Sequence, residues 1–301
     1  MSDTRARLAA LVARWAPREG VQASPLAGVS CIKVSRSQQF VKRHWRASFC
    51  IGVQGIKEIA LEGQLFRDRD PHYIVSPLDL PVSSRVTNAS AAKPFLALKL
   101  DFNAQALRDV ASRFEVSEPD GNDGATRALF LGKASERMLE AAIRLCELFS
   151  TPEDGAVLAP LIVRELLFYV LKSPDGPAIR QLVRAGTHAH RIAAAVHHLQ
   201  ASLADAVDID GLARAAGMSR AAFFKHFKAA TAMSPLQYQK RLRLLEARRR
   251  MLEEGEGAAA AAFSVGFTSP SQFSREYSRM FGDAPLRDTA ALKRTPVSIA
   301  Q

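Results

Sequence analysis

The sequence predicts an α+β protein of two domains, a β-rich domain with helices over residues 1–180 and an all-α domain over 188–290. Three observations support this. Apolar residues alternate with other residues in FLALKLDF (95–102), as in a half-buried strand. They recur three and four apart over 133–150 and 156–172, as in helices. No strand-like pattern follows residue 188.

Several short strands are predicted in the first hundred residues. IKEIALEGQLF (56–66) has the pattern of a hairpin with Glu62 and Gly63 in its turn. HYIVS and PLDLPVSSRV (72–86) predict further strands, with Pro77 and Pro81 confined to edges or ends. Short strands at this spacing are typical of a sandwich or a small barrel.

Composition excludes several classes of protein. The chain of 301 residues is 48% hydrophobic and 24% charged, as is usual for soluble globular proteins. The sequence has no run of about 18 apolar residues, so no membrane-spanning helix is predicted. The N-terminus, MSDTRARLAALVARW, predicts an amphipathic helix and not a secretory signal. Cys31, Cys50 and Cys146 form neither a disulfide framework nor a zinc spacing, so we expect a cytoplasmic protein.

Positive charge is concentrated in the C-terminal half. The formal net charge of +11 favours a polyanionic partner. Between Arg214 and Arg250, ten lysines and arginines stand against Glu246 alone. Such a run is compatible with a solvated helical face or with nucleic-acid binding. The motifs around it favour nucleic-acid binding.

Two similar segments lie 49–50 residues apart, LARAAGMSRAAFFKHFK (212–228) and AAFSVGFTSPSQFSREYS (261–278). In each, an alanine stands four residues before a glycine, and a small hydroxyl residue follows two positions after that glycine. Two aromatic residues four apart come next, with a cation between them. The matching positions are Ala213 and Ala262, Gly217 and Gly266, Phe223 and Phe273, Lys225 and Arg275, and Phe227 and Tyr277.

This pattern predicts two helix-turn-helix motifs. Glycine lets the first helix end in a left-handed conformation. Ser219 is expected to cap the second helix of the first motif, and Thr268 or Ser269 that of the second. Aromatic residues four apart pack inward together and leave Arg220 and Lys225 on the helix surface. Some of these surface cations can then reach DNA.

A single helix is predicted between the motifs, in SPLQYQKRLRLLEARRRML (234–252), with Ser234 as its cap and Pro235 in its first turn. About 18 helical residues span roughly 27 Å. Such a rod can hold two recognition helices in successive major-groove segments, about 34 Å apart on one face of the duplex. One chain would then recognise an asymmetric site without dimerisation.

These residues resemble the AraC/XylS family of bacterial transcriptional regulators over about a hundred C-terminal positions. The shared features are the aromatic recognition helix, Ser-Pro, an Arg-Leu-x-x-Ala linker helix and a final Phe-Gly-x-x-Pro, here Arg243, Leu244, Ala247, Phe281, Gly282 and Pro285. The sequence departs from the family pattern at Ala232, where glycine is common, and at Ala261, where a larger aliphatic residue is usual. The second departure predicts poorer packing of the second motif.

The resemblance implies which residues contact double-stranded DNA. Arginine and lysine suit guanine, glutamine suits adenine, and small or apolar groups meet the thymine methyl. The expected contacts in and near the first motif are Arg220, Ala221, Phe224, Lys225, Lys228, Lys240 and Arg243. Those in the second are Ser271, Gln272 and Arg275. Lys240, Arg243 and Arg248 are equally suited to phosphate contacts or to contacts within the protein.

The N-terminal half more loosely resembles the regulatory domain of one branch of this family, in CIGVQGIKEIALEG, HYIVSPLDLPV and KPFLALKLDF. That resemblance implies a cupin-like barrel followed by helices, with a small-molecule effector inside. The candidate effector residues are His44, Trp45, Phe49, Cys50, His72 and Tyr73. Ordinary core packing is the alternative for each of them.

Catalysis is not indicated. His44 and His72 are isolated, whereas a cupin metal site needs several histidines and a carboxylate at close spacing. No metal or cofactor is therefore expected, although a cupin-type enzyme with a DNA-binding tail is one alternative. A ligand-free regulator controlled by its abundance or by a protein partner is another. RNA polymerase is a candidate partner, and the sequence does not distinguish an activator from a repressor. Helices 133–150 and 156–172 are candidates either for a homodimer interface or for packing on their own barrel.

Overall fold

The computed structural model describes residues 2–69, 71–102, 104–114 and 127–294. Its N-terminal half is built on short strands. They are β1 (Gly20–Ala23), β2 (Val29–Val34), β3 (Val41–Trp45), β4 (Ser48–Gln54), β5 (Ile56–Leu61), β6 (Gln64–Arg69), β7 (His72–Ser76), β8 (Leu80–Thr87), β9 (Phe95–Asp101) and β10 (Phe130–Lys133). Strands β1 to β4 and β10 were not predicted.

These strands form two antiparallel sheets. The larger sheet has the order β1-β2-β9-β4-β7-β10 and the smaller one β3-β8-β5-β6. The expected β-rich N-terminal domain is therefore confirmed, but its description as a barrel is wrong. Both sheets are open, because in the described residues no ladder joins the outer strands of one sheet to those of the other.

The hairpin of β5 and β6 is as predicted. Leu61 pairs with Gln64, and Glu62 and Gly63 occupy the turn with φ of 45° and 80°. Strand β9 differs from its prediction, because it is buried on both faces from Phe95 to Leu100 and not on one. The second sheet covers one face of β9, and helices cover the other.

Five helices belong to this half. They are α1 (Ser2–Trp15), α2 (Ala104–Ala111), α3 (Glu136–Glu147), α4 (Pro152–Leu171) and α5 (Gly176–Val183). The predicted N-terminal helix is confirmed as α1, which packs on α3 and on the larger sheet. Helix α5 contacts both α2 and α6 (His188–Ala201), so it lies between the two halves of the chain.

The C-terminal half is helical throughout the described residues, as predicted. After α6 come α7 (Ile209–Ala215), α8 (Arg220–Thr231), α9 (Pro235–Arg249), α10 (Ala258–Ser264), α11 (Pro270–Phe281) and α12 (Pro285–Arg294). Helix α9 ends in a π-helical turn, Arg250–Glu254. Ser234 and Gln237 form a capping box at its start, with Pro235 in the first turn.

Helix α9 divides its buried side chains between two hydrophobic cores. Tyr238 and Leu242 belong to the main core, which extends from α1 through both sheets to α8. Leu244, Ala247 and Met251 belong to a smaller core with α10 and α11. The two helix-turn-helix motifs are thus attached to the two ends of one helix. Among the described helices, none combines the length and apolar character required to cross a bilayer.

Candidate nucleic-acid interface

The first helix-turn-helix motif consists of α7 and α8. Gly217 ends α7 with φ of 61°, and the Ser219 hydroxyl accepts a hydrogen bond from the Ala222 amide at the start of α8. Phe223 and Phe227 are fully buried, as predicted. The exposed surface of α8 carries four of the predicted DNA contacts, and these are Arg220, Ala221, Lys225 and Lys228.

Phe224 is half-buried beside this exposed face and packs on the main core. Its ring lies 6.5 Å from that of Phe223, centroid to centroid. The Phe224 ring is thus partly occupied in packing and partly accessible to solvent.

The second motif, α10 and α11, repeats this arrangement. Gly266 has φ of 86°, and Ser269, not Thr268, caps α11 by accepting a hydrogen bond from the Gln272 amide. Phe273 and Tyr277 are buried. Ser271, Gln272 and Arg275 lie together on the exposed face, where the sequence placed them.

Arg243 connects the two motifs through main-chain carbonyl groups. Its Nε donates to the oxygen of Leu203 at 2.7 Å, and its Nη2 donates to that of Asp205 at 2.7 Å. Its Nη1 donates to the oxygen of Gly266 at 3.1 Å. Leu203 and Asp205 precede the first motif, and Gly266 forms the turn of the second. The guanidinium group therefore acts within the protein, and its predicted contact with DNA remains a prediction.

Gly266 also lies directly against the chain between α6 and α7. A Cβ atom at this position would overlap the main-chain carbonyl of Ala204. The turn of the second motif and the segment before the first are consequently in backbone contact. The sequence pattern predicted glycine for its conformation, but not for this close approach.

Most cations of the basic run are paired within the protein, and their contact with DNA remains a prediction. Lys240 binds Glu276 on α11 at 3.2 Å. Six others are paired as well, four of them with acidic residues from outside the run and two with Glu246. The further pairs are Arg214 with Asp208, Arg220 with Asp210, Arg241 with Glu62, Arg248 with Asp288, and both Arg249 and Arg250 with Glu246.

Arg248 illustrates this structural use of a cation. Its guanidinium group donates two hydrogen bonds to the Asp288 carboxylate, at 2.8 and 2.9 Å, and lies 4.3 Å from the centre of the Phe281 ring. The Tyr277 hydroxyl donates to the same carboxylate at 2.7 Å. Asp288 thereby fixes α12 against α9 and α11. No sequence signal identified Asp288 in advance.

The N-terminal domain contacts the DNA-binding half at α8 and α9. The Ala128 amide donates to the carbonyl oxygen of Ala230, near the end of α8, at 3.1 Å. The Tyr238 hydroxyl of α9 donates to the carbonyl oxygen of Asp79 at 2.8 Å and accepts from the Gln200 side chain at 2.8 Å. Tyr238 is fully buried by these contacts.

Two ionic contacts extend this interface. Arg241 of α9 pairs with Glu62 in the β5–β6 turn. The Lys42 ammonium group donates to the carbonyl oxygen of Met280, near the end of α11. The N-terminal domain therefore touches both recognition helices and the helix that joins them.

The six candidate effector residues do not line one pocket. Phe49 and Tyr73 share a face of the larger sheet with Cys31. Cys146 of α3 lies near Cys31: burial raises the pKa of the Cys146 thiol, and the charge of a Cys31 thiolate raises it further. That face is covered by helices. His44 points the other way from its neighbour Trp45, and its Nε2 lies 3.2 Å from the Asp79 carboxylate.

Trp45, Cys50 and His72 face the space between the sheets. Lys57 joins them there, with its ammonium group 4.5 Å from the centre of the Trp45 ring and 6.0 Å from that of Phe95. Burial lowers the pKa of Lys57 to about 8. Lys57 was not among the candidate residues, since an isolated lysine in a strand carries no sequence signal.

A cleft of about 410 Å³ lies between the N-terminal domain and the end of α8. The β5–β6 hairpin and residues 127–129 form one wall, and the last turns of α8 form the other. Its lining residues are Leu61, Glu62, Gln64, Phe66, Arg127, Ala128, Leu129, Lys228, Ala229, Ala230 and Ala232. Of the predicted site residues, only Lys228 is among them. The described residues contain no cluster of three potential metal ligands.

Known proteins resemble this chain in both halves. ExsA, an HTH-type transcriptional regulator of Pseudomonas aeruginosa, is 24% identical over 262 residues, which cover 83% of this chain and 92% of ExsA. RhaS of Pectobacterium atrosepticum, an HTH-type transcriptional activator, is 31% identical over 100 residues, or 33% of this chain and 36% of RhaS. The crystal structure of an apo ToxT variant from Vibrio cholerae matches with a TM-score of 0.56 and 12% identity, covering 91% of this chain and 99% of ToxT. This last likeness concerns the fold.

Two family descriptions match the sequence. Residues 212–289 match a helix-turn-helix domain. Residues 25–178 match the N-terminus of AraC-type transcriptional regulators. The protein therefore belongs to the AraC-type transcriptional regulators, with an N-terminal regulatory domain and a DNA-binding domain of two helix-turn-helix motifs.

Proposed function

We propose that the two motifs of one chain bind successive major-groove segments of a single asymmetric DNA site. The observation that carries this proposal is the bridge made by Arg243 between the two motifs. A protein that binds two successive major-groove segments needs a fixed distance between its recognition helices, because these segments recur every 10 to 10.5 base pairs, about 34 Å. The bridge and helix α9 supply that constraint.

The exposed faces of α8 and α11 suggest a role for each predicted contact. Arg220 and Lys225 suit guanine in the first element, and Arg275 suits guanine in the second. Gln272 suits adenine, while Ala221, Phe224 and Ser271 suit the edge of thymine. Lys228 follows on the same face of α8 and suits a phosphate group. Lys240 and Arg243 contribute indirectly, because their side chains hold the second motif in place.

The test is an in vitro binding selection with the purified full chain, repeated with Lys225→Ala and Arg275→Ala. We expect an asymmetric site with two elements about 10 base pairs apart. Each variant should relax the base preference of a different element and cost about 1–3 kcal/mol on the wild-type site. Lys133→Ala, which removes an exposed cation of the N-terminal domain, is the matched control. Relaxation of the same element by both variants would contradict the proposal.

We further propose that a small-molecule effector binds in the cleft beside α8. Arg127 and Lys228 provide positive charge, and Leu61, Phe66 and Leu129 provide an apolar wall. This combination suits an amphipathic carboxylate. A ToxT structure contains a bound unsaturated fatty acid. An occupant of this cleft would touch the N-terminal domain and the last turns of the first recognition helix together, and so change how α8 is presented to DNA.

Thermal unfolding and DNA affinity with a medium-chain fatty acid, and with its methyl ester, test the effector proposal. The acid should stabilise the protein and change its affinity for the selected site, and the uncharged ester should do so less. Arg127→Ala should remove the difference between the two compounds. If neither compound has an effect, control by abundance or by a protein partner becomes the better account.

We propose, finally, that the protein acts in the cytoplasm as an activator that contacts RNA polymerase. RhaS carries the description of an activator and matches this chain over its DNA-binding half. In vitro transcription from a template with the selected site upstream of a weak promoter tests this. Activation should increase the transcript with purified polymerase alone, whereas a decrease would indicate repression.

A further inference from the structure

The guanidinium group of Arg191, on α6, is partly buried but has no partner among the described residues. Six arginines of the described DNA-binding half are buried or half-buried. Five of them bind carboxylate or carbonyl groups, and these are Arg241, Arg243, Arg248, Arg249 and Arg250. Arg191 is the sixth. Neither a hydrogen bond nor an ion pair joins its guanidinium group to any described residue, and its Nε is buried.

Such a cation is unfavourable within the protein alone. Burying a polar donor without an acceptor costs free energy, and burying a charge without a partner costs more. Natural proteins keep exceptions of this kind mainly at functional sites. An acceptor that is present only in a complex would explain why the Arg191 guanidinium group has none within the described chain.

Arg191 lies at the turn of the first helix-turn-helix motif. A Cβ atom on Gly217 would lie 2.9 Å from the Arg191 Nη1. One helical turn earlier on α6, the ring of His188 lies 5.1 Å from that of His226, in the middle of α8. The first turn of α6 therefore lies beside the first half of α8, which is the part of a recognition helix that contacts base edges.

The acidic side chains of the first motif are engaged elsewhere. Asp208 pairs with Arg214 at 3.9 Å, and Asp210 pairs with Arg220 at 3.3 Å. The motif therefore supplies no carboxylate to Arg191. A negatively charged group that reaches this turn from outside would be the first to neutralise it.

We propose that Arg191 binds a phosphate group of the DNA strand beside the first element and thereby positions α8 in the groove. This inference rests on the proposal that α8 occupies that element. The parallel donors of a guanidinium group fit two phosphate oxygens. Because Arg191 lies on the helix next to α8, it reaches the backbone at the edge of the groove and not the base edges. Such contacts fix the register of a protein on the duplex and carry no sequence information.

The first test is the salt dependence of DNA affinity, measured for the full chain and for Arg191→Met on the selected site and on an unrelated duplex. The variant should bind both about tenfold more weakly. The slope of log affinity against log salt should become less steep by about 0.9. Base preferences should stay unchanged, unlike those of Lys225→Ala, and Lys133→Ala is the control for loss of one charge. An unchanged slope on both duplexes would overturn the proposal, whether or not a two-element site exists.

Thermal unfolding without DNA separates this role from a structural one. Arg191→Met removes a buried donor that has no acceptor, so the unfolding midpoint should stay the same or rise. Arg248→Met is the matched comparison, because the Arg248 guanidinium group is buried and binds Asp288, and its loss should lower the midpoint. An equal fall in the two variants would show that Arg191 stabilises the fold, and would overturn the proposal.

Gly217→Ala tests the position of the guanidinium group. The added Cβ atom would displace Nη1, so the variant should have a less steep salt slope than the wild-type chain. Added to Arg191→Met, the same substitution should leave the slope unchanged, because the displaced group is absent. Gly255→Ala is the matched control, since Gly255 also has a positive φ, 72°, and has open space around it. An equal change of slope with and without Arg191 would contradict its placement at this turn.

Discussion

The Arg243 guanidinium group and the Gly266 carbonyl group are joined by a hydrogen bond of 3.1 Å across the two helix-turn-helix motifs. Two other nitrogens of the same group are bound to carbonyl oxygens before the first motif. Because the guanidinium is planar and its donors have fixed directions, one side chain sets the position of the second motif relative to the first.

Replacement of Arg243 by methionine should destabilise the protein by about 2–4 kcal/mol, since three carbonyl groups lose a charged donor. It should also weaken binding to a two-element site more than binding to either element alone. Urea unfolding and DNA titration measure the two effects. Arg241→Met, two residues earlier on α9, removes only a partly exposed ion pair and should cost about 1 kcal/mol or less. Equal costs for the two variants would contradict the role assigned to Arg243.

A comparison of Gly266→Ala with Gly255→Ala separates two free-energy costs of adding a Cβ atom. One comes from the left-handed backbone conformation, and the other from the close contact with Ala204. Both glycines have positive φ, 86° and 72°. A Cβ at position 255 would meet no atom within 4 Å, whereas one at position 266 would overlap the Ala204 carbonyl. Gly255→Ala should therefore cost about 1 kcal/mol in unfolding free energy, and Gly266→Ala about 3 kcal/mol or more. Similar values for the two would show that the turn moves away from Ala204 at little cost.

Ala232→Gly should stabilise the protein. Ala232 has φ of 62°, a left-handed conformation that strains any residue with a Cβ. Glycine removes that strain but has more freedom in the unfolded chain, so we expect a net gain of up to about 1 kcal/mol. Ala229→Gly, inside α8, lacks the compensating gain and should cost about 1 kcal/mol. Thermal unfolding of the two variants checks the sign, and a loss of stability in Ala232→Gly would refute the explanation.

Lys57→Met should change how stability depends on pH. Burial, and then the neighbouring charges Arg43 and Lys99, lower the pKa of Lys57 from 10.5 to about 8, while Cys50 acts in the opposite direction. The unfolded chain therefore binds more protons between these pH values, and stability rises with pH there. Methionine should stabilise the protein below pH 8 by at most about 3 kcal/mol. This advantage should shrink by pH 10, and a constant difference would mean that Lys57 is not responsible.

Local features of the DNA-binding half were predictable from the sequence because each depends on near neighbours. Gly217 and Gly266 end helices, Ser219 and Ser234 cap them, and aromatic pairs such as Phe223 and Phe227 are buried four residues apart. Each of these local features requires a particular residue type at a fixed spacing, and that pattern is visible in the sequence.

Contacts between distant residues left no such signal. The pairs that the basic run makes with Glu62 and Asp288 could not be predicted, because these two acidic residues lie far from the run in the sequence. Alternation along a strand states which side chains share a face, but not which face is covered by helices. Phe49 and Cys50 were placed in one candidate pocket because strand β4 was not predicted, and as adjacent residues of that strand they point to opposite sides of the larger sheet.

We propose that two motifs held at a fixed distance recognise one DNA site. The most direct measurement is the affinity of the full chain for its selected site before and after insertion of five base pairs between the two elements. Half a helical turn places the second element on the opposite face of the duplex. We expect the affinity to fall to that for the first element alone, a loss of about 2 kcal/mol or more. An unchanged affinity would show that the motifs bind independently, and would contradict the account.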